Sequence, residues 1–376
     1  MISRVCEKEI IQSLNKKKIV HIPGPRQVGK TTLIQKIGNE SGLKVFWLNG
    51  DDADTASLFE KATSTKLRSL FGNSELLIID EAQRITNIGL ALKIIIDNIP
   101  NLKVLVTGSS AFELADNINE PLTGRKIEIF LFPLSFAEMV NHTNLLEENR
   151  LLEHRMIYGF YPEVVSNPGD EKNVLKRLSD AYLYKDLLSF ERLKKSSVIV
   201  KLLQALALQL GNEVSFNELG QIIGVDNQTV ERYIDLLEKA YIVFRLKSFR
   251  RNLRTELRKS RKIYFYDNGI RNSLIANFKP LAMRQDTGAL WENYIISERR
   301  KYLSYNNIWA NCYFWRTHAQ QEIDYIEERD GILYAFEIKW NPNKNPNLSK
   351  SFSRAYPEHK YQIINPENYE GFITEL

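Results

Sequence analysis

Residues 24–31 run Gly-Pro-Arg-Gln-Val-Gly-Lys-Thr. This spacing of glycine, lysine and hydroxyl lets a backbone turn wrap its N–H groups around phosphate oxygens. In such a loop Lys30 reaches the β- and γ-phosphates and the Thr31 hydroxyl ligates Mg²⁺. Gly24, Pro25, Arg26, Gln27, Val28, Gly29, Lys30, Thr31 and Thr32 are the expected cradle, and ATP and Mg²⁺ the expected cofactors. A second acidic element must accompany the loop. Leu76-Leu77-Ile78-Ile79-Asp80-Glu81 supplies it, with Asp80 suited to hold Mg²⁺ and Glu81 to polarise the attacking water.

These side chains need a scaffold. Lys18–Ile22 is a short apolar run that suits a buried strand, and Thr32–Ile37 opens a helix whose dipole points its positive end at the loop. The four apolar residues before Asp80 suit a strand buried on both faces of a parallel sheet. The acids then fall at the strand's C-terminal end, where open α/β sheets bind ligands. Val45–Leu48 reads as a further strand, and so does Val104–Val106, which ends in Thr107-Gly108-Ser109-Ser110. A hydroxyl of this cluster, Ser109 as the named candidate, can sense the γ-phosphate or orient water; Ser109 and Ser110 suit a helix N-cap equally well. Arg125 follows Gly124 ahead of the expected strand Ile127–Phe132, and its spacing fits a catalytic cation or a plain surface arginine.

Residues 138–210 are rich in Leu, Glu, Lys and Arg, with helical spacing over Val174–Leu188 and Val198–Leu210. A helical lid and connector are expected. Ser215–Gly224 and Asn227–Leu237 then predict two helices joined by a glycine-containing turn, the helix-turn-helix pattern. Ile242–Leu246 and Ile263–Tyr266 are expected as the two strands of a wing. Between them Arg245–Lys262 carries nine Lys or Arg against the single acid Glu256. Arg250, Arg251, Arg254, Arg258, Lys259 and Arg261 are the candidates for contact with a phosphate backbone, which makes DNA the expected partner. The same patch suits a solvated face or a protein interface.

The last hundred residues hold a second constellation. Leu290–Ile296, which includes Glu292, begins a helix, and Ile308–Arg316 predicts a strand. A hairpin follows around Asp330-Gly331. A two-residue loop places Asp324 opposite Glu337, and a four-residue loop places it opposite Ala335. In both registers Asp324, Glu337 and Lys339 share one face, and Ile323, Tyr325, Phe336 and Ile338 share the other. Two carboxylates and a lysine on one face suit a divalent-metal phosphodiesterase, with Glu292 completing the metal site. They equally suit structural salt bridges.

The loop 24–32, Leu77–Ala82, Thr107–Ser110, Leu122–Arg125 and Phe132–Glu138 together resemble the predicted bacterial and archaeal AAA-type P-loop ATPases joined to a C-terminal domain of unknown function. Gly159-Phe160-Tyr161-Pro162-Glu163 resembles the Gly-x-Pro segment of their helical lid. The order helix, three strands, helix, strand with Glu292, Asp324, Glu337 and Lys339 is similar to the PD-(D/E)xK (restriction-endonuclease-like, Holliday-resolvase-like) nucleases. Ile323 stands where the named proline would be. The resemblance implies a homo-oligomeric ring such as a hexamer, with Arg125 as a finger reaching a neighbouring subunit.

Length and composition agree with several domains: 376 residues, 43% hydrophobic and a net charge of +5. Cys6 and Cys312 form neither a disulfide framework nor a metal pattern, and no apolar run approaches a membrane span. A cytoplasmic protein with no membrane partner is therefore expected. The expected fold is multidomain α/β. It comprises a P-loop parallel-sheet ATPase core (1–137), a helical lid and connector (138–210), a winged helix-turn-helix (211–280) and a C-terminal restriction-endonuclease-like α/β domain (281–376). The function that follows is Mg²⁺-dependent ATP hydrolysis used to bind and remodel DNA, branched DNA such as Holliday junctions included. The alternatives are an ATP-licensed metal-dependent nuclease and a nucleotide switch that binds a protein.

Overall fold

The computed structural model describes residues 2–374 except 61, 109–121, 182–195, 251–260, 318 and 345, with residues 181 and 196 described by backbone alone. The chain is multidomain α/β and divides into two compact units. One comprises 1–133 with 239–241, and the other 134–238 with 242–376.

The first unit is built on five strands: β1 (Ile19–Pro23), β2 (Val45–Asn49), β3 (Leu76–Asp80), β4 (Lys103–Gly108) and β5 (Lys126–Glu128). They lie in the order β2-β3-β4-β1-β5, and every pairing is parallel. Every residue of β1 and β3 is buried, as continuous apolar runs covered on both faces must be. One side of the sheet is sealed by Phe71, Ile88, Leu92 and Ile95 packing on Leu77, Ile79, Val104 and Val106. All five strands point the same way, so the ends of β1, β3 and β4 open on one edge. β4 lies between β1 and β3. The expected strand 127–132 is shorter, although Ile129 and Leu131 still donate N–H bonds to His21 and Pro23 at 3.0 and 2.8 Å.

The second unit begins with short helices, Phe136–His142, Leu145–Arg150, Leu152–Tyr158, Pro162–Ser166 and Glu171–Ala181. Helices Ser196–Leu208, Phe216–Ile223 and Asn227–Lys239 follow. Gly224 ends the middle one at φ 76°, a left-handed turn that favours glycine. The strands of this unit are β6 (Val243–Ser248), β7 (Arg261–Phe265), β8 (Asn311–Arg316), β9 (Glu322–Arg329), β10 (Ile332–Ile338) and β11 (His359–Ile364). They form one six-stranded mixed sheet in the order β11-β10-β9-β8-β6-β7. The β6–β7 hairpin expected as a separate wing therefore runs on into the C-terminal sheet through the parallel pairing of β6 with β8. A division at 280/281 passes through this sheet.

The order helix (Thr287–Tyr305), three strands, helix (Lys350–Ala355), strand is present. Asp330 and Gly331 both take positive φ, 49° and 79°, and form the two-residue loop; Ile332 pairs with Arg329. The pairing runs on to Tyr325 opposite Phe336, which leaves Asp324 and Glu337 next in step. The structure covers both faces of the hairpin rather than one. Tyr325 and Phe336 pack with Phe372, while Ile326 and Ala335 join Phe249, Trp315 and Phe352. Among the described residues no helix is long and apolar enough to cross a membrane.

Candidate functional site

The loop 24–31 leaves β1 and enters the helix Lys30–Glu40. Gln27 and Gly29 take left-handed φ values of 56° and 92°. Gly24 has another reason to be glycine: a Cβ there would lie 2.2 Å from the Leu131 carbonyl oxygen, a backbone atom that cannot swing away. Lys30 is buried and its ammonium donates to the Gly24 and Pro25 carbonyls at 2.9 and 2.7 Å. The cation thus sits inside the loop it serves, over the space a phosphate chain would enter. Val28 is buried, and Thr32 is exposed on the first turn of the helix.

β3 brings its acids to this loop. The Thr31 hydroxyl donates to Asp80 Oδ2 at 2.6 Å. Thr107, fully buried at the end of β4, donates its hydroxyl to Asp80 Oδ1 and accepts the Glu81 N–H at 3.1 Å. Glu81 N–H also reaches Asp80 Oδ1 at 3.1 Å. One hydroxyl on the intervening strand therefore holds both the Asp80 carboxylate and the Glu81 backbone. Glu81 itself takes φ 50°, which costs a non-glycine residue about 1 kcal/mol or more. Gly50 allows this turn, since a Cβ on it would lie 2.2 Å from the Glu81 carbonyl oxygen. Gln83 donates to the Glu81 carboxylate. The Thr31 hydroxyl and the Asp80 carboxylate are a hard oxygen pair that fits Mg²⁺.

Sequence reasoning missed Thr107 as an individual candidate, and it also missed Arg4. The Arg4 guanidinium is buried and donates to the Val28 carbonyl at 2.7 Å and to the Phe132 carbonyl at 2.6 Å. It braces the phosphate loop from behind. Nothing in the spacing near the N-terminus signals that role. Ser109 lies outside the described residues. Arg125 is on the surface, where its Nε donates to Asp97 Oδ1 at 2.9 Å and holds that carboxyl below its usual range. Its own carbonyl accepts the Ile19 N–H at 2.9 Å, which ties the segment to the start of β1.

Of the basic candidates, Arg251, Arg254, Arg258 and Lys259 lie outside the described residues. Arg250 is half-buried. Arg261 pairs with Glu231 at 2.8 Å and lies over the Phe216 ring. Within the same stretch Arg245 is bonded to Glu238 and Asp235, and Lys262 is 1% exposed. Among the five described cations of this stretch, three are thus paired with acids of the chain.

The C-terminal candidates do come together. Lys339 Nζ lies 2.6 Å from both Asp324 Oδ2 and Glu337 Oε2, and Asp324 Oδ2 also accepts the Ile338 N–H at 2.8 Å. Burial, then the charge of Asp324, pushes the Glu337 carboxyl up to about 7. Glu292 is occupied elsewhere. Its Oε1 accepts from Lys262 at 3.0 Å and from the Tyr264 hydroxyl at 2.5 Å, and burial raises its pKa. Lys262 also meets Glu322 at 2.6 Å. The expectation that Glu292 completes a metal site with Asp324 and Glu337 does not fit this arrangement. Among the described residues no three His, Cys, Asp or Glu side chains gather to hold a metal.

Comparison with known proteins adds the following. Residues 16–140 match the model of an AAA domain, 149–281 a domain of unknown function (DUF8612), and 287–372 another (DUF4143). The chain is 27% identical to an uncharacterized protein of Mycobacterium tuberculosis over 92% of this chain and 75% of that one. It is 24% identical to one of Methanocaldococcus jannaschii (98% and 87%) and 25% identical to one of Haemophilus influenzae (91% and 88%). Among solved structures it is similar to a Thermotoga maritima RuvB variant at 17% identity, covering 64% of this chain and 88% of that one, TM-score 0.33. It is also similar to Bacteroides Pif1 bound to single-stranded DNA at 17% identity, covering 47% and 49%, TM-score 0.26. The family match over residues 16–140 assigns an AAA-type, ATPase-like domain to the first unit.

Proposed function

We propose that this chain is a Mg²⁺-dependent ATPase of the AAA type that uses turnover to act on DNA, working as a ring-shaped homo-oligomer. The observation that carries the hydrolytic part is the junction of Thr31, Asp80 and Thr107, which joins the loop, the acid strand and the strand between them. Lys30 would exchange its two loop carbonyls for β- and γ-phosphate oxygens. Thr31 and Asp80 would hold Mg²⁺, which when bound neutralises charge developing on the phosphates. Glu81, aimed by Thr107 and Gly50, would take the proton of the attacking water. Arg125 is half-buried, and among the described residues its side chain is held by a surface ion pair with Asp97, a contact it would exchange for a neighbouring subunit's nucleotide.

Support for DNA as the substrate is the two-helix turn of the second unit. Asn227 and Gln228 are exposed at the start of the second helix, the position from which such helices read base edges. Lys247 is exposed on β6, and Arg250 follows it in the chain. The test is a gel-shift and turnover panel on single-stranded, duplex and four-way DNA, with and without a non-hydrolysable ATP analogue. Binding that weakens steeply with salt, together with DNA-stimulated hydrolysis, is expected. Turnover unchanged by every DNA, with no shift at moderate salt, would leave the nucleotide-switch reading in its place.

A further inference from the structure

Four carboxylates of the second unit gather around two ammonium groups. Glu292 comes from the helix Thr287–Tyr305, Glu322 and Asp324 from β9, and Glu337 from β10. Lys339 is shared by Asp324 and Glu337, at the edge of the cluster. The other cation, Lys262, comes from β7, well before Lys339 in the chain.

Lys262 is the deepest member. Its side chain is 1% exposed, and its Nζ lies 3.0 Å from Glu292 Oε1 and 2.6 Å from Glu322 Oε1. A lysine this buried is ordinarily driven toward neutrality. Here the charges of Glu292, Glu322 and Asp324 outweigh that, and the group is held above its usual range. The surrounding carboxylates thus favour the ammonium form. Its oxygens sit at hydrogen-bond distances, whereas Mg²⁺ demands near-octahedral oxygens at about 2.0–2.1 Å. The Tyr264 hydroxyl, one period of the strand away on the same face of β7, takes up Glu292 Oε1 as well.

We propose that Lys262 is the built-in cation of the C-terminal acid cluster, and that the cluster consequently takes no divalent metal ion. The hairpin β6–β7 is thereby pinned to the C-terminal strands by charge. The cluster then lacks the electrophile that a metal-dependent phosphodiesterase site requires. The second unit then contacts its partner without cutting it. This inference is independent of the ATPase reading.

Mn²⁺ binding to the full-length, nucleotide-free chain tests it, followed by the electron paramagnetic resonance signal of free Mn²⁺. The wild-type titration is expected to be unchanged by Asp324→Asn or Glu292→Gln. One equivalent bound below about 1 mM that disappears in Asp324→Asn but survives Asp80→Asn overturns the proposal. Lys262→Met removes the charge and keeps the stem. It is expected to gain Mn²⁺ binding and a melting temperature that rises with Mn²⁺, both lost again in Lys262→Met with Glu292→Gln. A folded Lys262→Met chain with no Mn²⁺ response also overturns it. Should that variant fail to fold, the wild-type titration decides alone.

Discussion

Thr107→Val is the most informative single change at the nucleotide site. Valine keeps the shape of threonine, so no cavity forms at this fully buried position. What disappears is one hydroxyl that donates to Asp80 Oδ1 and accepts the Glu81 N–H at 3.1 Å. The buried Asp80 carboxylate would keep the Thr31 hydroxyl at 2.6 Å, and Glu81 N–H would keep Asp80 Oδ1 at 3.1 Å. The Asp80 carboxylate thus loses one of three donors, and the Glu81 N–H one of two acceptors. A buried polar group that loses a partner costs about 1–3 kcal/mol. If about 1.5–3 kcal/mol of this falls on the transition state, kcat drops roughly 10- to 150-fold. Steady-state ATP turnover measures it, with a fluorescent nucleotide analogue reporting affinity separately. Affinity should stay within a few-fold, because Lys30 and the loop are untouched. Turnover within two-fold of wild type would refute the claim that Thr107 aims the catalytic acids.

Other expectations follow from the same contacts. Gly24→Ala forces a methyl against the Leu131 carbonyl oxygen, so nucleotide affinity measured by the same fluorescence assay should fall at least tenfold. Arg4→Met removes both carbonyl bonds behind the loop and should raise the apparent Kd for nucleotide more than it lowers kcat. Glu337 titrates near 7 in the folded chain against an ordinary 4.5, so the folded state binds the extra proton between those values. Stability of the second unit should fall as pH rises from about 4.5 through about 7, and Glu337→Gln should flatten that slope in thermal melts. Arg299 holds the fully buried Glu327 by two bonds of 2.6 and 2.9 Å, and Arg299→Met should cost about 3–5 kcal/mol by denaturant titration.

The loop, the acid strand and the tight hairpin were legible in the sequence because each is a local code. Glycine spacing, an apolar run ending in acids, and Asp-Gly between alternating strands all state their own geometry. Period-two alternation put Asp324, Glu337 and Lys339 on one face, while leaving the register between two loop lengths. Long-range choices were not legible. Nothing local says that β6 runs parallel beside β8, so the hairpin read as a separate wing. Lys262 was counted with a basic patch, although its place two residues before the fully buried Tyr264 puts both on one inward face. Charge counts treat every cation as solvated; the acids that pull Lys262, Arg261 and Arg245 inward come from other elements of the fold. Arg4 carries no periodic signal, because its partners are carbonyls 24 and 128 residues away.

The central claim is that Glu81 activates water at a working ATP site. Glu81→Gln preserves size and the contacts of the loop while removing the base. Single-turnover hydrolysis and nucleotide binding measured on the same preparation test it directly. The account predicts ATP bound with near wild-type affinity and hydrolysis reduced by two orders of magnitude or more. Hydrolysis at the wild-type rate in Glu81→Gln would contradict it.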